Sequence, residues 1–128
     1  MKKNELMAIL LVFLSTVGTV IGIFAFDKYR KSKLYTVEVI ARAPNNGNWY
    51  PKKVHLPYGR EAAILIRNIE TVSHGFAIPD LNVAVKEIKA GEVAVVKFTP
   101  QRRGAFPFMC TVWCSDEHLN MRGEIVVE

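Results

Sequence analysis

Charge is missing from one long stretch of this 128-residue sequence. From Leu6 to Phe26, 21 consecutive residues (LMAILLVFLSTVGTVIGIFAF) carry none. A helix rising about 1.5 Å per residue would extend about 31 Å over this stretch, enough to cross the core of a bilayer. That excludes a freely soluble cytosolic chain as the first reading. The marks of a cleaved signal are also missing. The apolar run is longer than the usual signal region, and no A-x-A-like site follows it, since Ala25 is small but Ile23, two places earlier, is not. An uncleaved single-pass membrane anchor is expected.

A large excess of one charge is absent from the rest of the chain. Residues 1–34 hold six basic and two acidic groups, whereas residues 35–128 hold eleven and ten, so the formal net charge of +5 belongs mostly to the flanks of the apolar run. A nucleic-acid-binding domain would place its basic excess on a folded face, so no nucleic-acid partner is expected. Basic groups flanking a membrane helix anchor it among headgroups. Two basic residues precede the run and four follow it. A plain positive-inside count would therefore leave the following domain in the cytoplasm, although folded domains translocate largely regardless of such charge.

Helical periodicity, internal repeats and low-complexity tracts are all missing after residue 34. The residues divide into short extended segments: 35–41, 53–56, 62–67, 74–78, 92–98, 104–110 and 123–128. Turn signals such as Ala43–Gly47 (APNNG), Pro57, Gly59, Gly91 and Pro100 lie between them. About seven strands at this spacing predict an antiparallel Greek-key β-sandwich or barrel. The expected organisation is a transmembrane anchor and basic linker over residues 1–34, then one all-β domain over 35–128.

Cysteine and histidine are scarce, with two of the first and three of the second. Most of them gather in one pattern. Cys110, Cys114, His118 and Met121 read Cys-x3-Cys-x3-His-x2-Met. Thiolate, imidazole and thioether together select copper, whereas hard cations need carboxylates and carbonyls. His74, in Ser73-His74-Gly75-Phe76, is a candidate further ligand brought in from a distant strand end. His55, between Val54 and Leu56, is expected to face solvent with a structural role. A mononuclear blue-copper site uses one cysteine. Two thiolates aimed at one point can bridge two copper ions, and their charges leave a small, spread total suited to electron transfer. A disulfide between Cys110 and Cys114 is the competing reading. Met121 as a core residue and His74 as a satisfied structural histidine compete likewise.

On these motifs residues 35–128 resemble the CuA (cupredoxin) domain of cytochrome c oxidase subunit II. The likeness runs from His74-Gly-Phe-Ala-Ile-Pro-Asp-Leu-Asn-Val, through Lys86-Glu-Ile-Lys-Ala-Gly91, to the Cys110–Met121 loop and the closing Gly123-Glu-Ile-Val-Val. The single preceding helix is similar to the short, B-type (ba3-like) form of that subunit. The resemblance implies two copper ions bridged by Cys110 and Cys114, with His74 and His118 each on one ion. It makes Met121 a weak ligand to one ion and the Val112 carbonyl a weak ligand to the other. It also implies a cytochrome c-like or cupredoxin electron donor and haem in oxidase subunit I as acceptor, with exit through His118. The chain would be an electron-transfer subunit, not catalytic alone, with its copper domain on the periplasmic or outer side of the cell membrane.

The family often has Glu where Val112 stands, and that carboxylate helps hold magnesium, so no magnesium site is expected. The position after the second cysteine is usually Gly and is Ser115 here. Trp113 reads either as a donor-docking contact or as a lid over the loop, and Asp116 and Glu117 either steer a donor or are simply solvated. A stand-alone membrane-anchored CuA carrier for nitric or nitrous oxide reduction, and a copper delivery protein, are the alternative functions.

Overall fold

The computed structural model describes residues 2–128. The chain divides into two compact units, the second of which is Leu34–Glu128.

The first unit is one helix, α1 (Lys3–Ser32). Glu5 in its first turn accepts a 2.9 Å hydrogen bond from the Lys2 backbone N–H, which favours the helix start. The leucines, isoleucines and phenylalanines along it are exposed on every side. A helix apolar all round and uncovered by protein is suited to lipid. Its hydroxyls fit the same setting. Ser15 and Thr16 donate to the Val12 carbonyl, and Thr19 donates to that of Ser15, at 2.7–3.0 Å. No hydroxyl among these needs a partner outside the helix. By length and composition, α1 can cross a membrane.

The second unit is a sandwich of eight strands: β1 (Tyr35–Ala41), β2 (Lys53–Leu56), β3 (Ala62–Asn68), β4 (His74–Ile78), β5 (Val83–Ile88), β6 (Val93–Phe98), β7 (Gly104–Met109) and β8 (Arg122–Val127). One sheet has the order β1-β3-β6 and the other β2-β8-β7-β4-β5. Alternation sets the inner face. In β2, Val54 and Leu56 are buried while Lys53 and His55 point out. His55 lies in the open, its Nδ1 3.0 Å from Glu128. The centre of the core is aromatic: Trp49 meets Phe76 and Phe108 edge-on, at centroid separations of 5.7 and 5.4 Å.

Two expectations need correction. The sheets are mixed, not antiparallel: β1 pairs with β3 in parallel, and β2 with β8. The chain leaves β1 for β2 in the opposite sheet before returning to β3, and such a crossover brings the strand back in the same direction. Local alternation does not encode this. The structure also has one strand more than expected, β5. Its inward residues Val83, Val85 and Ile88 are spaced by two and then by three, because a bulge separates the pairs Phe76–Val85 and His74–Ile88. The extra residue breaks the period-two pattern that would have revealed the strand.

Two close approaches require glycine. A β-carbon on Gly123 would lie 2.7 Å from the Lys52 carbonyl and would overlap the Phe108 ring. One on Gly75 would overlap the Thr111 hydroxyl, so β4 and the loop after β7 touch directly behind His74.

Candidate metal centre

The five-stranded sheet assembles the site. β7 and β8 are antiparallel neighbours, and the loop joining them, residues 110–121, closes where the Cys110 N–H donates to the Met121 carbonyl at 3.1 Å. β4 is the neighbour of β7 on its other side, with Ala77 opposite Met109. Continuing that register sets His74, the first residue of β4, against the start of the loop. A short 3-10 turn, His118–Asn120, then returns the chain toward β8.

A segment far away in sequence clamps the loop. Asn48 donates through its side-chain amide to the Asn120 carbonyl at 2.9 Å, and the Trp49 indole N–H donates to the Met121 carbonyl at 3.2 Å. Asn48 and Trp49 are both buried. These bonds hold the closing end of the loop in place without a metal.

The side chains converge on a small volume. One ligand atom each of His74, Cys110 and Cys114 lie within 4.8 Å of one another. His74 Nδ1 is 3.8 Å from Cys110 Sγ, and His118 Nδ1 is 3.6 Å from Cys114 Sγ. Met121 Sδ is 3.6 Å from Cys114 Sγ, and the Val112 carbonyl oxygen is 3.1 Å from Cys110 Sγ. All six residues singled out in the sequence thus meet here. Each imidazole turns the same nitrogen, Nδ1, toward a different thiol. Both cysteines are free, so the disulfide reading is not what the structure has. His74 and Met121 are fully buried and Cys110 nearly so.

No sequence pattern singles out Glu70, which lies in the turn between β3 and β4. Its carboxylate accepts a 2.8 Å hydrogen bond at Oε2 from His74 Nε2 and one of 2.6 Å from the Ala43 N–H. Asn46 donates to Oε1. The turn is fixed by the buried Asn68, which donates to the carbonyls of Val72, Ile88 and Lys89 and accepts from the Glu70 N–H.

The charges are arranged to match. Burial works against ionising Glu70, but the donors Asn46, Ala43 and His74 outweigh it and hold the carboxyl below its ordinary range. Burial likewise opposes a charged His74, and its bonds to Cys110 and Glu70 prevail, making the ring more basic than usual. Burial opposes the Cys110 thiolate too, but His74 and the Gly75 N–H, 3.4 Å from Sγ, lower its pKa. Cys114 goes the other way: burial, and then the neighbouring Cys110 charge, push it up to about 11. The two thiols are thus biased in opposite directions, and a bound cation would favour the thiolate form of both.

These donors fit copper. Two thiols, two imidazoles and a thioether are soft or borderline ligands, and the Glu70 carboxylate faces the outer nitrogen of His74 instead of the centre. The Ser115 hydroxyl, next to Cys114, is buried without a hydrogen-bond partner among the described residues. At the surface, Trp113 is 69% exposed, with its ring 5.8 Å from that of His118, and Leu119 is 72% exposed. Asp116 and Glu117 are also exposed.

A two-sheet sandwich with a histidine from a central strand and a Cys/His/Met loop between its last two strands defines a cupredoxin. The chain belongs to the cupredoxin-like domain family, whose model matches residues 7–127. It is 35% identical over 94 residues to cytochrome c oxidase subunit 2 of Thermus thermophilus, covering 73% of this chain and 66% of that protein. A second such subunit from the same species is matched over 53% of its length. It is also 33% identical over 103 residues to nitrous-oxide reductase of Cupriavidus necator, covering 78% of this chain and 15% of that protein. Among solved structures, a chain of a heme-copper terminal oxidase dimer matches with a TM-score of 0.66 and 19% identity, covering 98% of this chain and 99% of that one. At that identity the likeness speaks for the fold alone.

Proposed function

We propose that this chain is the electron-entry subunit of a haem-copper terminal oxidase, with a binuclear CuA centre held by His74, Cys110, Val112, Cys114, His118 and Met121. The observation carrying this reading is the pairing of each thiol with its own imidazole, His74 with Cys110 and His118 with Cys114, while the ligand atoms of His74 and both thiols lie within 4.8 Å of one another. Two bridging sulfurs with one imidazole at each end suit two ions better than one. Copper bound there would supply a one-electron couple. The chain's own residues supply the rest. The clamp at Asn120 and Met121 holds the donors in one arrangement, which keeps rearrangement on electron transfer small. Trp113 and Leu119 give an apolar contact beside His118 for a cytochrome c-like or cupredoxin donor. The near neutrality of residues 35–128 suits apolar docking better than charge steering. Helix α1 anchors the domain to the cell membrane on its outer face, and oxidase subunit I is the partner that receives the electron.

Burial of His74 and Met121 argues against copper delivery, which needs ligands open to a partner. The nitrous-oxide reductase likeness keeps a carrier for nitrogen-oxide reduction as the second reading, since that enzyme shares 33% identity over most of this chain. The chain matches 66% and 53% of the length of the two oxidase subunits and 15% of the reductase. Purification of the tagged full chain from its native membrane separates them. An oxidase subunit brings down a haem protein that consumes oxygen when ferrocytochrome c is supplied. A chain that purifies without haem, or with nitrous-oxide-reducing activity, contradicts the proposal.

A further inference from the structure

No ligand pattern requires the Glu70 carboxylate, and it is heavily engaged. It lies against the outer nitrogen of a fully buried imidazole, with its own side chain 11% exposed. It takes three N–H donors: His74 Nε2 and the Ala43 amide on one oxygen, and Asn46 on the other. A group ringed by donors is an acceptor on both oxygens, which suits a carboxylate and not its acid. Asn68 in turn pins the backbone of Glu70. The arrangement is one-sided. Among the described residues, Nε2 of His118 has no hydrogen-bond partner; its Nδ1 lies 3.6 Å from Cys114 Sγ and its ring 5.8 Å from that of Trp113.

We infer that Glu70 is a positioning residue that orients His74 and, from that side, lowers the reduction potential of the copper centre. This rests on the binuclear reading above. The physics has two parts. A hydrogen bond at Nε2 fixes the tautomer, so that Nδ1 presents a lone pair to the metal. A fixed negative charge one ring away favours the more positive, oxidised centre over the reduced one. Because the Glu70 charge lies on the His74 side, the two ends of the centre differ electronically beyond the difference between Met121 and the Val112 carbonyl.

The test separates geometry from charge. In Glu70→Gln the amide oxygen can still accept from His74 and Ala43, while Asn46, whose amide can rotate, presents its oxygen to the new NH2 group. The charge alone is lost. The copper-loaded full chain in detergent is then titrated electrochemically. Glu70→Gln is expected to shift the oxidised-to-reduced ratio at fixed potential about tenfold toward reduced, about 59 mV upward for a one-electron couple. Glu70→Asp, which keeps the charge, falls nearer the wild type. Glu70→Ala also loses about 10–100-fold in copper affinity, the usual cost of removing such an outer contact. A Glu70→Gln potential equal to wild type, with the wild-type two-copper signal present, overturns the inference and leaves the binuclear reading intact. Absence of that signal in wild type overturns the binuclear reading itself. Should Glu70→Gln fail to fold, nitrogen-15 NMR of the reduced wild-type chain decides. A slowly exchanging His74 Nε2–H supports the inference, and a bare or freely exchanging Nε2 overturns it.

Discussion

Trp49→Phe tests how the fold holds the metal loop. Trp49 is 1% exposed, packs edge-on against Phe76 and Phe108, and donates its indole N–H to the Met121 carbonyl at 3.2 Å. Phenylalanine keeps one aromatic ring in place but loses the second ring and the donor. The lost hydrogen bond costs about 1 kcal/mol, and not more, because the Met121 carbonyl still accepts from the Cys110 N–H at 3.1 Å. The void left by the smaller ring adds about 1–2 kcal/mol, well below the 3–5 kcal/mol of a full truncation to alanine. The total of about 2–3 kcal/mol converts to a Tm lower by about 10–20 °C for a domain of this size. Thermal unfolding of the metal-free full chain in detergent, followed by near-ultraviolet circular dichroism, reads the effect. Trp113→Phe is the control: at 69% exposure it should stay within about 0.5 kcal/mol of wild type. A Trp49→Phe Tm within about 3 °C of wild type would refute the claim that the indole anchors the loop.

Other outcomes follow from the same geometry. Cys114→Ser removes one of the two paired thiols and should abolish a copper signal shared over two ions. Met121→Leu nearly conserves volume at a fully buried site, so the signal persists while the potential shifts, as electrochemistry would show. Trp113→Ala should slow reduction of the copper-loaded chain by ferrocytochrome c in stopped-flow measurements, with no change in its spectrum or Tm. Gly123→Ala forces a β-carbon toward the Phe108 ring and the Lys52 carbonyl, and should lower stability by about 1–3 kcal/mol in the same unfolding assay.

What was legible in the sequence was local. The donors Cys110, Cys114, His118 and Met121 lie within one loop, so their spacing already describes a cluster, and His74 stood out because so few histidines compete with it. Short extended segments between turn residues mark seven strands. Features set by the tertiary fold were hidden. β5 was masked by its bulge between Val85 and Ile88, and the two parallel pairings depend on which sheet the chain crosses to. Glu70 in Glu-Thr-Val-Ser reads as an ordinary solvated turn residue. Nothing local reveals that Ala43 and Asn46, 27 and 24 positions away, turn it inward. Trp49 follows an Asn/Gly-rich turn, and its role as clamp appears only once residue 121 lies beside it.

The central claim, that two thiols and two imidazoles hold a pair of copper ions acting as one redox unit, is tested most directly by electron paramagnetic resonance. The sample is the copper-loaded, one-electron-oxidised full chain. The account predicts a hyperfine pattern from one unpaired electron shared over two copper nuclei, with two coppers per chain by metal analysis. A pattern from a single copper nucleus, or a reduced chain that takes up no copper, would contradict it.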